Sequence, residues 1–264
     1  MNKTILLIPH YNNVSGLKVS LESIGPAEKT DVIIVDDGSN IPFDKDEISK
    51  SFLANGTVHA IYSGKNEGIE FALNKGLEFA LAHNYEYVAR LDCGDINKAN
   101  RLRIQEEFLE KHNEIAFIGS NVRFVDTKGQ HLFNLIFPQA AANIRKKMFV
   151  NAMFCHPTIF FRTAILSITG LYPTNYKAAE DYAFFFKVIQ NFKTANINEV
   201  LVVSEINPQG ISYKHRKIQA KNRIKIIYKN FYFGMYPIYG LLRSVLLYLI
   251  PIKWLTFLKR TLKK

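Results

Sequence analysis

Short apolar segments of β type alternate with helical segments in the first half of the chain, and this alternation constrains the fold more than any other feature. Four segments have the apolar and β-branched composition of buried strands: residues 4–8, 31–35 (DVIIV), 58–62 and 85–91. Residues 14–24 and 69–80 lie between them and place apolar side chains at helical spacing. Strands that alternate with helices at this pitch predict βαβ units, and therefore an α/β domain with a mostly parallel sheet.

Polar residues follow each of the four predicted strands. They are His10-Tyr11-Asn12, Asp36-Asp37, Lys65-Asn66-Glu67, and Asp92 with Asp95. In an open α/β sheet, ligands bind outside the carboxyl ends of the strands, so these residues are expected to form one site. The GxGxxG and GxxxxGK[ST] patterns are both absent from the sequence, which disfavours a dinucleotide oxidoreductase and an ordinary NTPase.

Carboxylates dominate these strand ends. Asp36 and Asp37 could accept hydrogen bonds from a base N–H and from ribose hydroxyls, whereas Asp92 and Asp95 could hold a hard divalent cation that bridges phosphates. Each pair also has a simpler explanation, because Asp, Gly and Ser are common turn residues. The joint occurrence of both pairs is what favours a ligand site.

A third acidic pair, Glu180-Asp181, opens a segment in which aromatic and aliphatic side chains share one helical face. The pair is therefore predicted to lie at a helix N-terminus, where the helix dipole favours acidic residues. Capping the helix is the alternative role for this pair.

These motifs, taken in order, resemble the family 2 glycosyltransferases, which have the GT-A fold with a Rossmann-like central sheet. The matching segments are IPHYN, VIIVDDGS, GKNEGIEFALNKGLEFA, YVARLDCGD, NRLRIQEEFLEKHNEIAFIGSNV, CHPTIFFR and AEDYAFFFKV, and they span residues 3–220. The resemblance implies transfer of a sugar from a nucleotide-activated donor to an acceptor hydroxyl, with inversion at the anomeric carbon. UDP is the default nucleotide for the resemblance.

The resemblance also implies roles for individual residues. The residues implied to contact the nucleotide are Pro9, Tyr11, Asp36, Asp37, Asn66, Gly68 and Asp92. Asp181 matches the family's catalytic base, with Glu180 beside it. His156 lies in the CHPT segment near the predicted base, where a structural role suits it equally well.

Asp92-Cys93-Gly94-Asp95 matches the metal and diphosphate motif of the family, which usually reads Asp-Xaa-Asp-Asp. Gly94 stands at the third position, which often supplies the direct metal ligand. Binding of Mn²⁺ or Mg²⁺ is therefore expected to rest on Asp95 together with Asp92, or to be weaker than usual. His215 lies where many GT-A enzymes place a late metal-binding or diphosphate-binding His.

Charge divides the chain in two. Of the 34 Lys and Arg residues, 13 lie in residues 206–264, which contain no Asp or Glu, so residues 1–205 carry 21 basic against 23 acidic residues. This asymmetry predicts a catalytic domain over residues 1–205 and a basic helical region over residues 206–264.

The basic region also has an amphipathic pattern. Residues 238–250 are nearly all apolar, but thirteen residues are too few to span a bilayer, which needs about 20. Beyond Pro251, basic side chains fall on one helical face, and Trp254 with three leucines falls on the other. This pattern predicts a helix in the membrane interface. Alternatively, the apolar segment packs on the catalytic domain or forms a homodimer interface, whereas nucleic-acid binding is disfavoured.

The leading hypothesis is a hexosyl- or N-acetylhexosaminyl-transferase that acts on lipopolysaccharide, lipooligosaccharide or another lipid-linked saccharide. The alternatives are a non-catalytic nucleotide-sugar-binding protein and a nucleotidyltransferase, although PHYNNVSG lacks the glycine-rich, basic signature of the latter. Two cysteines without a CxxC pair, and an N-terminal apolar run of five residues, predict a cytosolic protein without a signal peptide. Peripheral binding to the cytoplasmic face of a bacterial inner membrane is expected.

Overall fold

A computed structural model describes residues 2–206 and 215–250, and these residues form one nine-stranded mixed sheet covered by helices on both faces. The strands are β1 (Thr4–His10), β2 (Asp31–Asp36), β3 (Val58–Tyr62), β4 (Tyr87–Arg90), β5 (Ile96–Asn97), β6 (Ile115–Val125), β7 (His131–Leu135), β8 (Phe160–Arg162) and β9 (Lys193–Glu205).

The helices are α1 (Val14–Glu22), α2 (Lys45–Ser49), α3 (Ile69–Ala82), α4 (Arg101–Lys111), α5 (Ala141–Lys147), α6 (Leu166–Thr169), α7 (Glu180–Asn191), α8 (Arg216–Lys229) and α9 (Met235–Leu249). Two short 3-10 helices lie at His156–Thr158 and Thr163–Ile165.

The four strands predicted from the sequence form the parallel half of the sheet, in the order β3-β2-β1-β4. The other half follows as β8-β6-β9-β5, with β7 paired to β6, and here β8 is antiparallel to both β4 and β6. The prediction of an α/β fold with a Rossmann-like, mostly parallel central sheet is confirmed.

The register of the parallel strands determines where the site lies. His10 of β1 pairs with Asp36 of β2, which in turn pairs with Tyr62 of β3, so three strands end at one level. Alternate side chains of β1 and β2 point into two separate apolar clusters, one on each face of the sheet. Burial on both faces explains why these strands are continuous apolar runs.

The C-terminal helices α8 and α9 pack against the body of the protein. Ile226 and Ile227 of α8 belong to the same apolar cluster as α7. Gly240 of α9 lies so close to the loop after α5 that an added Cβ would fall 2.1 Å from the Phe149 carbonyl oxygen. The apolar segment of residues 238–250 thus packs on the catalytic domain, which was one of the alternatives considered from the sequence. It does so through one face of α9 only.

The opposite face of α9 is exposed and apolar. We call it the α9 apolar face, and it consists of Met235, Ile238, Tyr239, Leu242, Val245, Leu246 and Leu249. Phe233, just before the helix, is 94% exposed and extends the same kind of surface. Among the described residues, no helix is long and apolar enough to cross a membrane. The predicted amphipathic helix beyond Pro251 lies outside the described residues.

Candidate active site

The ends of β1 and β2 are joined by a buried hydrogen-bonded pair. His10 Nδ1 lies 2.8 Å from Asp36 Oδ2, and both side chains are shielded from solvent. Asp36 Oδ1 accepts the backbone N–H of Ser39 at 2.7 Å. Both oxygens of Asp36 therefore already hold the turn after β2, and a direct contact between Asp36 and a nucleotide stays a prediction.

Asp37 ties this turn to the loop before α3. Its Oδ1 accepts the backbone N–H of Glu67 and its Oδ2 that of Gly68, each at 3.0 Å. Burial raises the pKa of Asp37, while these two N–H groups pull it down. Gly38 adopts φ +71°, and a Cβ there would lie 2.2 Å from the Lys65 carbonyl carbon. Only glycine lets the two loops approach this closely.

The structure brings the residues implied to contact a nucleotide to this edge of the sheet. Pro9 is buried one residue before the end of β1, whereas Tyr11 is exposed just beyond it. Asn66 is exposed in the loop that Asp37 holds. Tyr11 and Asn66 are thus the two members of this group with free side chains at the surface.

The turn after β4 contains the acidic motif, and its backbone explains the unusual Gly94. Asp95 donates its backbone N–H to the Asp92 carbonyl at 3.0 Å, and Gly94 donates to Ser20 Oγ at 2.9 Å. Gly94 adopts φ +103°, in the left-handed region. A carboxylate-bearing residue at this position would be strained, so this chain forms the turn at the expense of a third acidic ligand.

The two remaining carboxylates differ in accessibility. The Asp92 side chain is 41% exposed, whereas Asp95 is only 5% exposed and its Oδ2 has no hydrogen-bond partner. Burial, and then the charge of Asp92, raise the pKa of Asp95 to about 8. Mg²⁺ is commonly held by one or two carboxylates together with substrate phosphates. The orphaned oxygen and the open carboxylate fit a cation that arrives with a diphosphate.

A preformed protein cage for a metal is absent from the part of the chain that the structure describes, where no three His, Cys, Asp or Glu side chains are grouped to hold an ion. His215, which directly precedes α8, is therefore not gathered into a three-ligand group with Asp92 and Asp95. A metal or diphosphate contact from His215 stays a prediction.

Arg90 lies at the centre of the acidic residues and was missed by the sequence analysis. It is the last residue of β4, it is 1% exposed, and its Nη2 donates to Asp92 Oδ1 at 2.5 Å. Its Nε and Nη1 have no hydrogen-bond partner. A positively charged side chain at the end of a fully buried strand needs anionic partners. This rule could have identified Arg90 as a candidate site residue from the sequence.

Glu180 and Asp181 begin α7, as predicted, but their environments differ. Asp181 is half-buried and its Oδ1 accepts the backbone N–H of Tyr182 at 2.6 Å. Burial raises the pKa of Asp181, while Arg90 and Arg223 lower it. Glu180 is buried, its Oε2 has no partner, and burial followed by the charge of Asp181 raises its pKa to about 8. Asp181 is thus the accessible carboxylate of the pair.

His156 is held by Tyr172, with its Nε2 2.9 Å from the tyrosine hydroxyl oxygen. Burial, together with the charge of Arg90, keeps the pKa of His156 well below its usual value. The ring is therefore neutral and hydrogen-bonded, which suits a structural role and gives no sign of a proton-transfer role. Tyr172 also packs on Phe184 of α7, with ring centroids 4.4 Å apart.

Known proteins resemble this chain in sequence. Residues 5–168 match the sequence model of the family described as Glycosyl transferase family 2. A bifunctional glycosyltransferase of Dictyostelium discoideum is 23% identical over 247 residues, covering 80% of this chain and 32% of that protein. An uncharacterized glycosyltransferase of Haemophilus influenzae is 26% identical over 193 residues, covering 72% of this chain and 70% of the relative. The chain thus spans about a third of the Dictyostelium protein.

Solved structures share the fold at low sequence identity. TarS 1-349 of S. aureus in complex with UDP-GlcNAc aligns with a TM-score of 0.65 and 17% identity, over 93% of this chain and 72% of that one. The mannosyltransferase PcManGT of Pyrobaculum calidifontis, in complex with GDP-Man and Mn²⁺, aligns with a TM-score of 0.63 and 16% identity, over 92% and 68%.

The raised pKa of Glu180 predicts a pH-dependent stability. Between its usual pKa near 4.5 and its folded value of about 8, the folded protein keeps a proton that the unfolded chain has lost. The free energy of unfolding therefore falls as the pH rises through this window. Glu180→Gln is expected to raise the Tm by about 2 °C or more at pH 8 and to change it little near pH 5.

Thermal unfolding of the wild type and the variant across this pH range measures the effect. Glu78→Gln, which removes the same charge from an exposed position on α3, serves as the control and should show no such trend. A Tm difference for Glu180→Gln that is the same at both ends of the range would contradict the assignment.

Proposed function

The chain belongs to glycosyl transferase family 2, and from this premise we propose that it transfers a sugar, with inversion, from a nucleotide-diphosphate donor to a hydroxyl of a lipid-linked saccharide. UDP is the donor nucleotide that we propose by default, and lipopolysaccharide or lipooligosaccharide is the acceptor class. The observation that carries the proposal is the half-buried Asp181 at the start of α7, within electrostatic range of Asp92 in the acidic turn.

Asp181 acts as the general base in this mechanism. Its carboxylate takes the proton of the acceptor hydroxyl as the hydroxyl oxygen attacks the anomeric carbon. The donor's diphosphate leaves from the opposite face of the sugar, through an oxocarbenium-like transition state. A base must be ionised to work, and Arg90 and Arg223 oppose the effect of burial on the pKa of Asp181. Glu180, which is buried and protonated near neutral pH, supports the helix start beside it.

The nucleotide end of the donor is proposed to lie along the loops after β1, β2 and β3. Asp37 fixes the loop that presents Asn66, and Tyr11 is exposed nearby at the end of β1. The structural neighbours support a nucleotide-sugar donor in general terms, since TarS was solved with UDP-GlcNAc and PcManGT with GDP-Man and Mn²⁺.

Asp92 and Asp95 would hold Mn²⁺ or Mg²⁺ with the donor diphosphate, and the cation would supply positive charge for the leaving group. Arg90 orients Asp92 through its guanidinium, and its Nε and Nη1 have no partner in the described part of the chain. His215 is retained as a proposed further contact to the metal or diphosphate.

A non-catalytic nucleotide-sugar-binding protein is the second candidate, and Gly94 is the observation that favours it, because the chain lacks the third acidic residue of the motif. The two candidates are separated by release of nucleoside diphosphate from a panel of nucleotide sugars with a lipid-extract acceptor. Only an enzyme releases the diphosphate in an acceptor-dependent manner.

Residues 206–264 are proposed to attach the catalytic domain to the cytoplasmic face of the inner membrane. The α9 apolar face supports this proposal, as do the 13 basic residues of this region and its lack of acidic ones. Apolar area and attraction to anionic lipid both strengthen interfacial binding. Homodimer formation through the same face is the competing interpretation.

Asp181→Asn is expected to lower turnover by at least about a hundredfold, because the amide cannot accept the acceptor's proton. Binding of the donor, measured by calorimetry, should change by less than about threefold, since the shape of the side chain is kept. Asp46→Asn on the exposed surface of α2 is the matched control. Near-normal turnover of Asp181→Asn would remove this residue from the role of base.

Chelation with EDTA is expected to reduce turnover, and Mn²⁺ or Mg²⁺ should restore it. Asp92→Asn should raise the metal concentration needed for half-maximal activity by about tenfold or more, because a carboxylate ligand is lost. Glu78→Gln should leave the metal requirement unchanged. Full turnover in the chelator would show that the reaction of this chain needs no cation.

The double variant Leu242→Gln/Leu246→Gln is expected to reduce binding to anionic vesicles by at least about tenfold, because burial of each leucine contributes about 1.5–3 kcal/mol. Co-sedimentation with vesicles measures the bound fraction. Ile41→Gln/Leu53→Gln changes two exposed apolar residues elsewhere and is the control. Equal binding of both double variants and the wild type would argue against membrane contact through α9.

A further inference from the structure

A small cavity lies between α8, α9 and the loop after α5, separate from the acidic turn. Its volume is about 120 Å³, and its polar lining includes Arg216, Arg223, Arg243, Asn151 and Ser244. Apart from Arg223, whose charge lowers the pKa of Asp181, none of these residues has a role in the proposed transfer of a sugar at the acidic turn. Three arginines around one small cavity require an explanation, because like charges repel when water is removed from between them.

Neutral protein groups satisfy part of each guanidinium. Arg216 donates to the carbonyl oxygens of Leu247 and Ile250 at the end of α9, at 2.9 and 3.3 Å. Arg223 Nη1 donates to Asn151 Oδ1 at 3.0 Å. Carbonyl and amide oxygens fix the positions of these guanidinium groups, but they do not neutralise them.

Arg243 is the third member, and its Nη1 donates to the Val150 carbonyl oxygen at 3.1 Å. Burial, and then the charge of Arg223, lower the pKa of Arg243. A guanidinium has five N–H donors, so each of the three arginines has donors left over.

Negative charge is scarce around this cavity. Within residues 2–206 and 215–250, no ion pair joins any of the three arginines to a carboxylate. The segments outside these ranges contain no Asp or Glu in their sequence. The charge of Arg223 lowers the pKa of Asp181 at longer range, without a direct ion pair. The positive charge of the cavity is therefore largely uncompensated by the protein.

Ser244 provides a second, independent observation. It is 1% exposed, it lines the cavity, and its Oγ has no hydrogen-bond partner among residues 2–206 and 215–250. A buried hydroxyl without a partner costs free energy, and a bound ion is one of the explanations for such a group in a native protein. A hydroxyl beside three guanidinium groups is suited to donate to an oxyanion.

We propose that this cavity binds a phosphate group. Planar guanidinium forks match the oxygens of phosphate in pairs, and the serine hydroxyl adds a further donor. A volume of about 120 Å³ leaves room for a phosphate group. Both helices belong to the region that we propose attaches the protein to the membrane, and resting on that proposal, the phosphate of a membrane lipid is the source that we favour.

The cavity lies near Asp181, the candidate base, but Asp181 does not line it. The Arg223 guanidinium carbon lies 4.4 Å from the centre of the Tyr182 ring, and Tyr182 directly follows Asp181. A phosphate held here would lie beside the end of α7 at which the acceptor is proposed to react. Phosphate binding itself does not depend on the transfer reaction and can be measured without any sugar donor.

Calorimetric titration of the full chain with inorganic phosphate, against chloride at equal ionic strength, tests the site. Arg243→Gln is expected to weaken binding about tenfold, through loss of a charge-assisted hydrogen bond. Ser244→Ala should weaken it about threefold and leave the Tm unchanged or higher, because it removes an unsatisfied hydroxyl. Lys225→Gln, which removes an exposed charge from α8 outside the cavity, should have little effect.

Vesicles distinguish a lipid phosphate from a free one. Phosphatidylglycerol vesicles should bind Arg243→Gln and Ser244→Ala less well than Lys225→Gln if the lipid phosphate enters the cavity. Phosphate binding with no such difference on vesicles supports the site and assigns it to a soluble phosphate-bearing ligand. The proposal is overturned if phosphate does not bind saturably, or if Lys225→Gln loses as much affinity as Arg243→Gln.

Discussion

The ion pair between Arg90 and Asp92 is the interaction on which the candidate active site depends. A fully buried guanidinium at the end of β4 is tolerated because carboxylates surround it, and the buried acids are tolerated because of its charge. Asp95 and Glu180 remain largely uncompensated, and burial raises the pKa of each to about 8. Both acids are therefore protonated near neutral pH, beside the buried guanidinium groups of Arg90 and Arg101, and a cation that arrives with a diphosphate would favour the ionised form of Asp95.

The register of the strands and two glycines then determine where the acidic residues of the site lie. Three parallel strands end at one level because of their register, and Asp37 joins two of the following loops through backbone N–H groups. Gly38 permits that close approach, whereas Gly94 shapes the acidic turn at the cost of a carboxylate. Glycine thus lets two loops lie close together at the proposed nucleotide site, whereas at the proposed metal site it takes the place of a carboxylate. In both places the backbone conformation favours glycine.

The sequence allowed the parallel half of the fold to be predicted closely, because burial on both sheet faces produces continuous apolar strands. The third strand was placed at its observed bounds, Val58–Tyr62, and the start of α7 was placed at Glu180. The pairing of β6 with β9 was not foreseen, since it joins distant segments and shifts register several times. Arg90 was missed although its charge at the end of a buried strand is visible in the sequence, because its unpartnered nitrogens are visible only in three dimensions.

Two sets of unsatisfied buried groups of opposite kind lie close together in this protein. Asp95 and Glu180 have acceptor oxygens without donors, whereas Ser244 has a hydroxyl without a partner among arginines that lack counter-charges. Within the described chain the unsatisfied atoms of Asp95, Glu180 and Ser244 are not paired with one another. Pairing them would neutralise both and leave neither able to bind a charged ligand. Keeping them apart lets the acidic turn attract a cation with its diphosphate, and lets the cavity between α8 and α9 attract a phosphate.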